Sequence, residues 1–461
     1  MVRKTTARYN QMQRTLVYKN LVEQHRQTKA NTPERKSVNA QLNELRQKYR
    51  LSEFAFHSEI KDFQAYYPRN VNSIVAQKLA TSLWQAFEKV LYSDGEKIHF
   101  KRKTEFSSIE GKNNTTGIRF KNGIVDYGPG LSIHLRPKLN PKNLYEQRAL
   151  QNRVKYCRIK RKCVRGKWKY YVQLIMEGYA PIKTDENGVP KHYIGFGRVG
   201  IDIGTQTVAV VSQSNASLLE LADRVQNIEN ELRLVNRAMD RSRRATNPQY
   251  FNANDTIKKI PKSERRHWNN SGHYSALAAK RRELCRKQAD IRKQQHYELI
   301  NGIIAQGTEV YIEDMNFNAL QRRSKETKRN EKTGKIHTKK RFGKSLANKA
   351  PSMFVTMLGT KLKNVGGSLV KIDTRTAKAS QYNHLSQEYN KKKLSQRWND
   401  MPNGDKIQRD LYSAFLIMNT NATHDGFAQA ICEKNYPTFV LLHNTEIQRL
   451  QSTKHPSSMG C

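Results

Sequence analysis

The sequence predicts a multidomain α+β protein: a helical lobe, then a small antiparallel β-barrel, then an α/β domain built around a strand that carries an aspartate. Three observations predict it. Apolar residues recur at helical spacing through residues 10–92, and short alternating runs broken by Asn-Asn, Asn-Gly and Gly-Pro-Gly turns fill residues 97–177. Further on, Gly200-Ile201-Asp202-Ile203-Gly204 sets a glycine-flanked aspartate in a β-branched run, followed after a polar turn by a second apolar run. At 461 residues the chain has room for two or three domains and a substantial core.

In the helical lobe Leu79, Leu83, Ala86, Phe87, Val90 and Leu91 recur at spacings of three and four, and Ser93-Asp94-Gly95 ends the run. Leu42, Leu45, Leu51 and Phe54 mark an earlier amphipathic stretch. The short runs at 98–101, 117–120, 124–127 and 131–136 read as strands, and 154–164 pairs with 167–176 across the hairpin turn Arg165-Gly166. Strands at this spacing suggest a small barrel. Its Lys155, Arg158, Lys160, Arg161, Lys162, Lys167 and Lys169 suit a phosphate backbone, and equally suit the solvated face of a hairpin. A turn-rich linker, Thr184-Asp185-Glu186-Asn187-Gly188-Val189-Pro190, precedes the aspartate-bearing domain.

Beyond that hairpin, Val225, Ile228, Leu232, Val235 and Met239 form one helical stripe and Leu277, Leu284 and Ile291 another, which predicts an antiparallel helix pair. The pair carries Arg237, Arg241, Arg243, Arg244, Lys280, Arg281, Arg282, Arg286 and Lys287, so one face could track a nucleic acid. Residues 321–345 hold eleven Lys or Arg against two Glu, a composition expected to order on phosphate.

Lys and Arg number 83 against 40 Asp and Glu, a formal charge of +43. Charge of that size opposes compact folding unless a polyanion neutralises it, and points to a nucleic acid partner. Cys157, Cys163, Cys285, Cys432 and Cys461 include no Cys-x-x-Cys pair, which argues for a reducing compartment without disulfides or a cysteine zinc site. No apolar run approaches the ~20 residues of a membrane helix, and no hydrophobic signal core follows Met1-Val2-Arg3-Lys4. A cytoplasmic location with no membrane partner is the expectation.

An aspartate within a strand is costly unless it is paired or bound to a cation. Glu313, closing Val310-Tyr311-Ile312-Glu313, and Asp410, opening Asp410-Leu411-Tyr412-Ser413, are the candidate companions of Asp202. Two-metal cleavage of a phosphodiester needs such carboxylates from separate elements, because the ions must lie ~3.5–4 Å apart. Any one of the three could be structural, Asp410 most simply as a residue at a helix start.

Order and context supply the rest. Val199-Gly200-Ile201-Asp202-Ile203-Gly204, then Val310-Tyr311-Ile312-Glu313-Asp314-Met315-Asn316, then Gln408-Arg409-Asp410-Leu411-Tyr412-Ser413-Ala414 resemble the RuvC nuclease domain of the TnpB proteins of bacterial insertion sequences and of type V CRISPR effectors. Ser380-Gln381-Tyr382 and Lys392-Lys393-Leu394-Ser395-Gln396-Arg397-Trp398 are similar to the same family. The likeness is specific over residues 196–420 and weaker upstream, where the hairpin is similar to the family's wedge barrel.

The resemblance implies an RNase H-like (RuvC) α/β nuclease domain at 196–373 with a helical-pair insertion, completed by a C-terminal helix region at 406–447. Before it stand a recognition lobe at 1–95, whose first residues could belong to the wedge, a wedge barrel at 96–183 and the linker at 184–195. Asp202, Glu313 and Asp410 become the ligands of two Mg²⁺, or Mn²⁺ in their place. Asp314 is left out because strand alternation turns it away. The partners implied are a guide RNA, one per protein, and double-stranded target DNA read beside a short flanking motif; the activity is RNA-guided cleavage by a bacterial, nucleoid-associated enzyme of a transposon or compact CRISPR-like system. Arg158, Lys160, Arg161, Lys162, Arg237, Arg241, Arg244 and Arg397 are the candidate backbone contacts.

One departure stands out. Where the family has a four-cysteine zinc ribbon, residues 374–405 place Asn383, Ser386, Met401 and Gly404, so zinc is not expected and the segment should be held by Leu385, Tyr389, Leu394 and Trp398. His384 reads as a histidine in a polar loop, and 448–461 as a polar tail. Two other readings stay open: a nuclease-inactive RNA-guided repressor, and an ATPase, since Asp-Ile-Gly-Thr-Gln-Thr also resembles the phosphate hairpin of sugar kinases and actin-like proteins. A second Asp-x-Gly phosphate segment for the latter is not found.

Overall fold

The computed structural model describes the chain except residues 30, 93–94, 96, 100, 102–104, 128–130, 135–143, 262–263, 323–325, 327–341, 394, 454–458 and 461. It is mixed α/β and divides into two compact units, Met1–Tyr179 and Ala180–Cys461. Among the described residues no helix is long and apolar enough to cross a membrane.

The first unit opens with α1 (Val2–Arg14), α2 (Leu16–Gln27), α3 (Pro33–Lys48), α4 (Glu53–Ala65) and α5 (Ser73–Tyr92). Thr15, Thr32 and Ser52 cap α2, α3 and α4 by accepting a backbone N–H three residues on. Met12, Leu51, Phe56, Ala80, Leu83 and Phe87 make the core. Helix begins at Val2, with Met12 of α1 in this core. Phe54 and Leu79, counted from periodicity on the apolar face, are exposed, because α4 turns Phe56 and Glu59 inward and α5 turns Val75, Ala76, Ala80, Leu83 and Phe87 inward.

Next come β1 (Ser108–Glu110), β2 (Ile118–Lys121), β3 (Ile124–Tyr127), β4 (Ser132–His134), α6 (Leu144–Leu150), β5 (Val154–Val164) and β6 (Lys167–Met176). Arg165 and Gly166 both take positive φ in the two-residue turn between β5 and β6, as the strand twist requires. The strands form two antiparallel sheets, β1-β5-β6 and β2-β3-β4. Ile118 and Val125 of one meet Cys157 of the other and Val75 of α5 in a shared core. Among the described residues no strand pairing joins the two sheets, which pack on each other through this core, so the expected small barrel is not confirmed. At 98–101 no strand is present at the described positions; Phe100 lies outside them. β1 was missed for lack of apolar alternation in Ser-Ile-Glu; it is drawn into extension by pairing with β5.

The second unit contains β7 (Arg198–Ile203), β8 (Thr207–Ser212), β9 (Ala216–Glu220), α7 (Gln226–Thr246), α8 (Gly272–Gln306), β10 (Glu309–Glu313), α9 (Phe317–Leu320), α10 (Gly343–Lys349), α11 (Pro351–Asn364) and β11 (Ser368–Ile372). The hairpins β12 (Tyr382–Asn383) with β13 (Glu388–Tyr389), and β14 (Trp398–Asp400) with β15 (Lys406–Gln408), lead into α12 (Arg409–Met418) and α13 (Gln429–Gln451). Five strands make one sheet in the order β11-β10-β7-β8-β9. β7, β8 and β9 run as an antiparallel meander, and β10 lies parallel to both β7 and β11.

Alternation along β7 divides the unit into two cores. Ile201, Ile203, Val210 and Ile312 face Ile300 and Ile304 of α8 and Phe354 and Leu358 of α11. Ala209, Val211 and Tyr311 face Leu411, Ala414 and Phe415 of α12, with α13 behind. The basic run at 321–345 lies mostly outside the described residues.

The ribbon-like segment corrects two expectations. His384 is fully buried, not in a polar loop: its ring lies among Tyr412, Phe415 and Tyr436, and Tyr412 Oη meets its Nδ1 at 2.6 Å. Leu385 and Trp398 pack on the core as expected, Tyr389 sets its ring tilted against that of Tyr382 from an exposed position, and Leu394 lies outside the described residues. The tail is not merely polar either, since α13 runs on to Gln451 and Met459 is buried in the core.

Burial lowers the His384 pKa from the ordinary 6.5 to about 4, with Glu433 opposing weakly. The folded chain therefore holds a neutral imidazole while the unfolded chain takes up a proton below pH 6.5. Stability is full above that pH and falls as pH drops from 6.5 toward 4, by about 3 kcal/mol from this residue alone. His296 and His443, also lowered by burial, act with the same sign. Urea unfolding between pH 7.5 and 4.5 checks this: His384→Gln should flatten the acid limb, and an unchanged limb would contradict the assignment.

Candidate active site

Asp202 sits on β7 and pairs in register with Ala209 of β8. On the other side of β7, the parallel register matches Ile201 with Ile312, which brings Glu313 level with Asp202 on the neighbouring strand. Ile201 and Ile312 both enter the α8 and α11 core, so Asp202 and Glu313 turn to the opposite face, where α12 lies. Gly200 explains how closely α12 approaches: a Cβ there would stand 2.0 Å from the Ala414 carbonyl oxygen and 2.4 Å from the Met418 nitrogen. The helix is thereby seated over β7 with its N-terminal turn, and Asp410, above the two strand-borne carboxylates.

All three carboxylates line one cleft of about 740 Å³, together with Gln381, Lys391, Lys392, Arg397 and Arg409. Burial raises the Asp202 pKa well above its ordinary value, and the charges of Asp410 and Glu313 raise it further against the pull of Arg409. Glu313 is also raised by burial, with the Ala379 backbone N–H opposing. Crowded negative charge of this kind is relieved by taking up protons or by nearby cations.

Arg409 relieves part of it. Its Nε and Nη2 donate to Asp410 Oδ1 at 3.2 and 3.1 Å, and Arg397 Nη1 stands 3.9 Å from Asp410 Oδ2. With Asp410 turned onto Arg409, no group of three or more His, Cys, Asp or Glu among the described residues is arranged to hold a metal ion as it stands. The donor chemistry nevertheless fits a hard divalent cation, with three carboxylates from three elements on one cleft. Asp314 is exposed and paired with Lys371 at 2.7 Å, away from these groups.

The predicted backbone contacts scatter. On β5, Lys160 and Lys162 share a face with Lys169, whereas Arg161 lies on the other face over the Trp168 ring at 4.5 Å. Arg158 is held by Glu110 at 2.6 Å, which spends its charge. Arg237 and Arg241 are exposed one turn apart on α7, and Arg244 continues that stripe but meets Asp255 at 3.2 Å. Arg397 belongs to the carboxylate cleft. Sequence reading missed Lys391, Lys392 and Arg409 as cleft residues; the adjacency of Arg409 to Asp410 was the available signal.

No protein-family model matches this chain, and no curated protein matches its sequence.

Proposed function

We propose that this chain is an RNA-guided, Mg²⁺-dependent DNA endonuclease of the kind found in TnpB proteins and compact type V CRISPR effectors. The observation that carries the reading is the meeting of Asp202, Glu313 and Asp410, from two parallel strands and a helix start, on one cleft. The sheet order supports it, because an antiparallel meander extended by two parallel strands is the arrangement expected of an RNase H-like domain. The charge of +43 agrees with guide RNA and duplex DNA as partners, and the two packed sheets of the first unit are the counterpart of a wedge.

Asp202, Glu313 and Asp410 would hold the divalent cations, which when bound supply polarisation of the scissile phosphate and a more acidic water. The chain's own residues do the rest. Lys391, Lys392, Arg397 and Arg409 surround the carboxylates with fixed positive charge and bind the oxygens of an entering phosphodiester. An entering phosphate competes for Arg409, and so draws it from Asp410. Sequence would be read by base pairing with the guide, and the protein would hold the heteroduplex through its backbone.

Sequencing the RNA that copurifies with the chain from its native locus tests the reading. One discrete species with a constant scaffold and a variable end is expected. A heterogeneous mixture would overturn guided cleavage and favour a guide-free nuclease.

A further inference from the structure

We infer that Met459–Gly460, the segment beyond α13, is a positioning element for Asp410, acting through Gln408, Trp398 and Arg397; the inference rests on the nuclease reading above. Gln408 is wholly buried and precedes Asp410 by two residues. Its Oε1 accepts the Leu411 N–H at 2.8 Å, capping α12, while its Nε2 donates to the Met459 carbonyl at 3.0 Å. Its backbone N–H donates to His443 Nε2 of α13 at 2.9 Å. The side chain that starts the helix is therefore held at its far end by this segment.

A second link runs beside the first. Trp398, the cross-strand neighbour of Gln408, donates its indole N–H to the Gly460 carbonyl at 2.7 Å. Met459 is buried in the same core as Leu411 and Tyr412. Gly460 adopts φ +72°, and a Cβ there would stand 2.4 Å from Arg397 Cβ and 2.6 Å from its Cγ. Those are the root of that side chain and not its mobile end, so any larger residue must push Arg397 aside. Arg397 faces Asp410 from one side, and its carbonyl accepts the Arg409 N–H at 2.8 Å. The segment thus bears on the helix cap and on both arginines flanking Asp410.

A tail that merely completes the core would set stability alone. A positioning element sets how well the carboxylates take a cation, so the two roles separate by measurement. The test uses the full chain with its copurified RNA, as parent, Gly460→Ala and Trp398→Phe. Mn²⁺ binding followed by electron paramagnetic resonance, the Mg²⁺ dependence of DNA cleavage and the Tm are read together.

Gly460→Ala should weaken Mn²⁺ binding and raise the half-saturating Mg²⁺ by about tenfold, the lower end of what losing an orienting neighbour of a metal ligand costs. Trp398→Phe, which keeps an aromatic ring but loses the indole N–H donor, should move both in the same direction by less, and guided DNA binding should stay at the parent level. If Gly460→Ala does not fold, Trp398→Phe decides. Variants that bind Mn²⁺ as the parent does, with at most a lower Tm, would overturn the inference alone. A parent that binds no Mn²⁺ and cleaves nothing would overturn the nuclease reading and this inference with it.

Discussion

Asp202→Ala should abolish DNA cleavage while leaving RNA-guided DNA binding nearly intact. The residue stands at the centre of the carboxylate cleft, where both other acids act on it. On the proposed reading, losing Asp202 as a ligand removes several kcal/mol of charge stabilisation in the transition state, and about 4 kcal/mol is a thousandfold in rate. The same change relieves like-charge repulsion and buries no new polar group, so the fold should be at least as stable as before. Cleavage of a matched duplex and gel-shift binding, measured on one preparation, check this. Equal collapse of binding and cleavage would make Asp202 a structural residue.

Gly200→Ala should be strongly destabilising for a single added methyl group. Real Cβ atoms do not approach backbone within 3.0 Å, and this one would meet the Ala414 carbonyl oxygen and the Met418 nitrogen well inside that limit. Both belong to the backbone of α12, which cannot rotate out of the way as a side chain does. Overpacking a core costs roughly 1–3 kcal/mol, and a rigid helix places this substitution at the upper end. Relief requires α12 to lift from β7, which carries Asp410 away from Asp202. Urea unfolding should show the loss, and cleavage should fall further than stability accounts for. A variant as stable and as active as the parent would contradict the seating of α12 described here.

The three carboxylates could be singled out in the sequence only together, by the order and context of their segments. β-Branched residues around Asp202 and Glu313 announced strands, and alternation gave the side on which Asp314 falls. The convergence itself was not legible, since it depends on the parallel register of β10 with β7 and on the close approach of α12 to Gly200, which the sequence shows only as a glycine flanking Asp202 in a strand. His384 was misplaced for a related reason: its neighbours Asn383 and Ser386 are polar, while the aromatic cage that encloses it comes from α12 and α13. Met459 likewise lies in a polar stretch, and only the tertiary contact with Gln408 reveals it. Arg158 looked like its lysine neighbours because Glu110, 48 residues earlier, is invisible to a local reading.

The most direct test of the central claim is whether Asp202, Glu313 and Asp410 act as one site. Guided cleavage rates should be measured for Asp202→Ala, Glu313→Ala, Asp410→Ala and the triple variant, at saturating guide and target. Groups that act as a unit are grossly non-additive, so each single change should cost nearly as much as all three together. Additive losses, or one carboxylate whose removal leaves the rate unchanged, would contradict a shared metal-dependent centre.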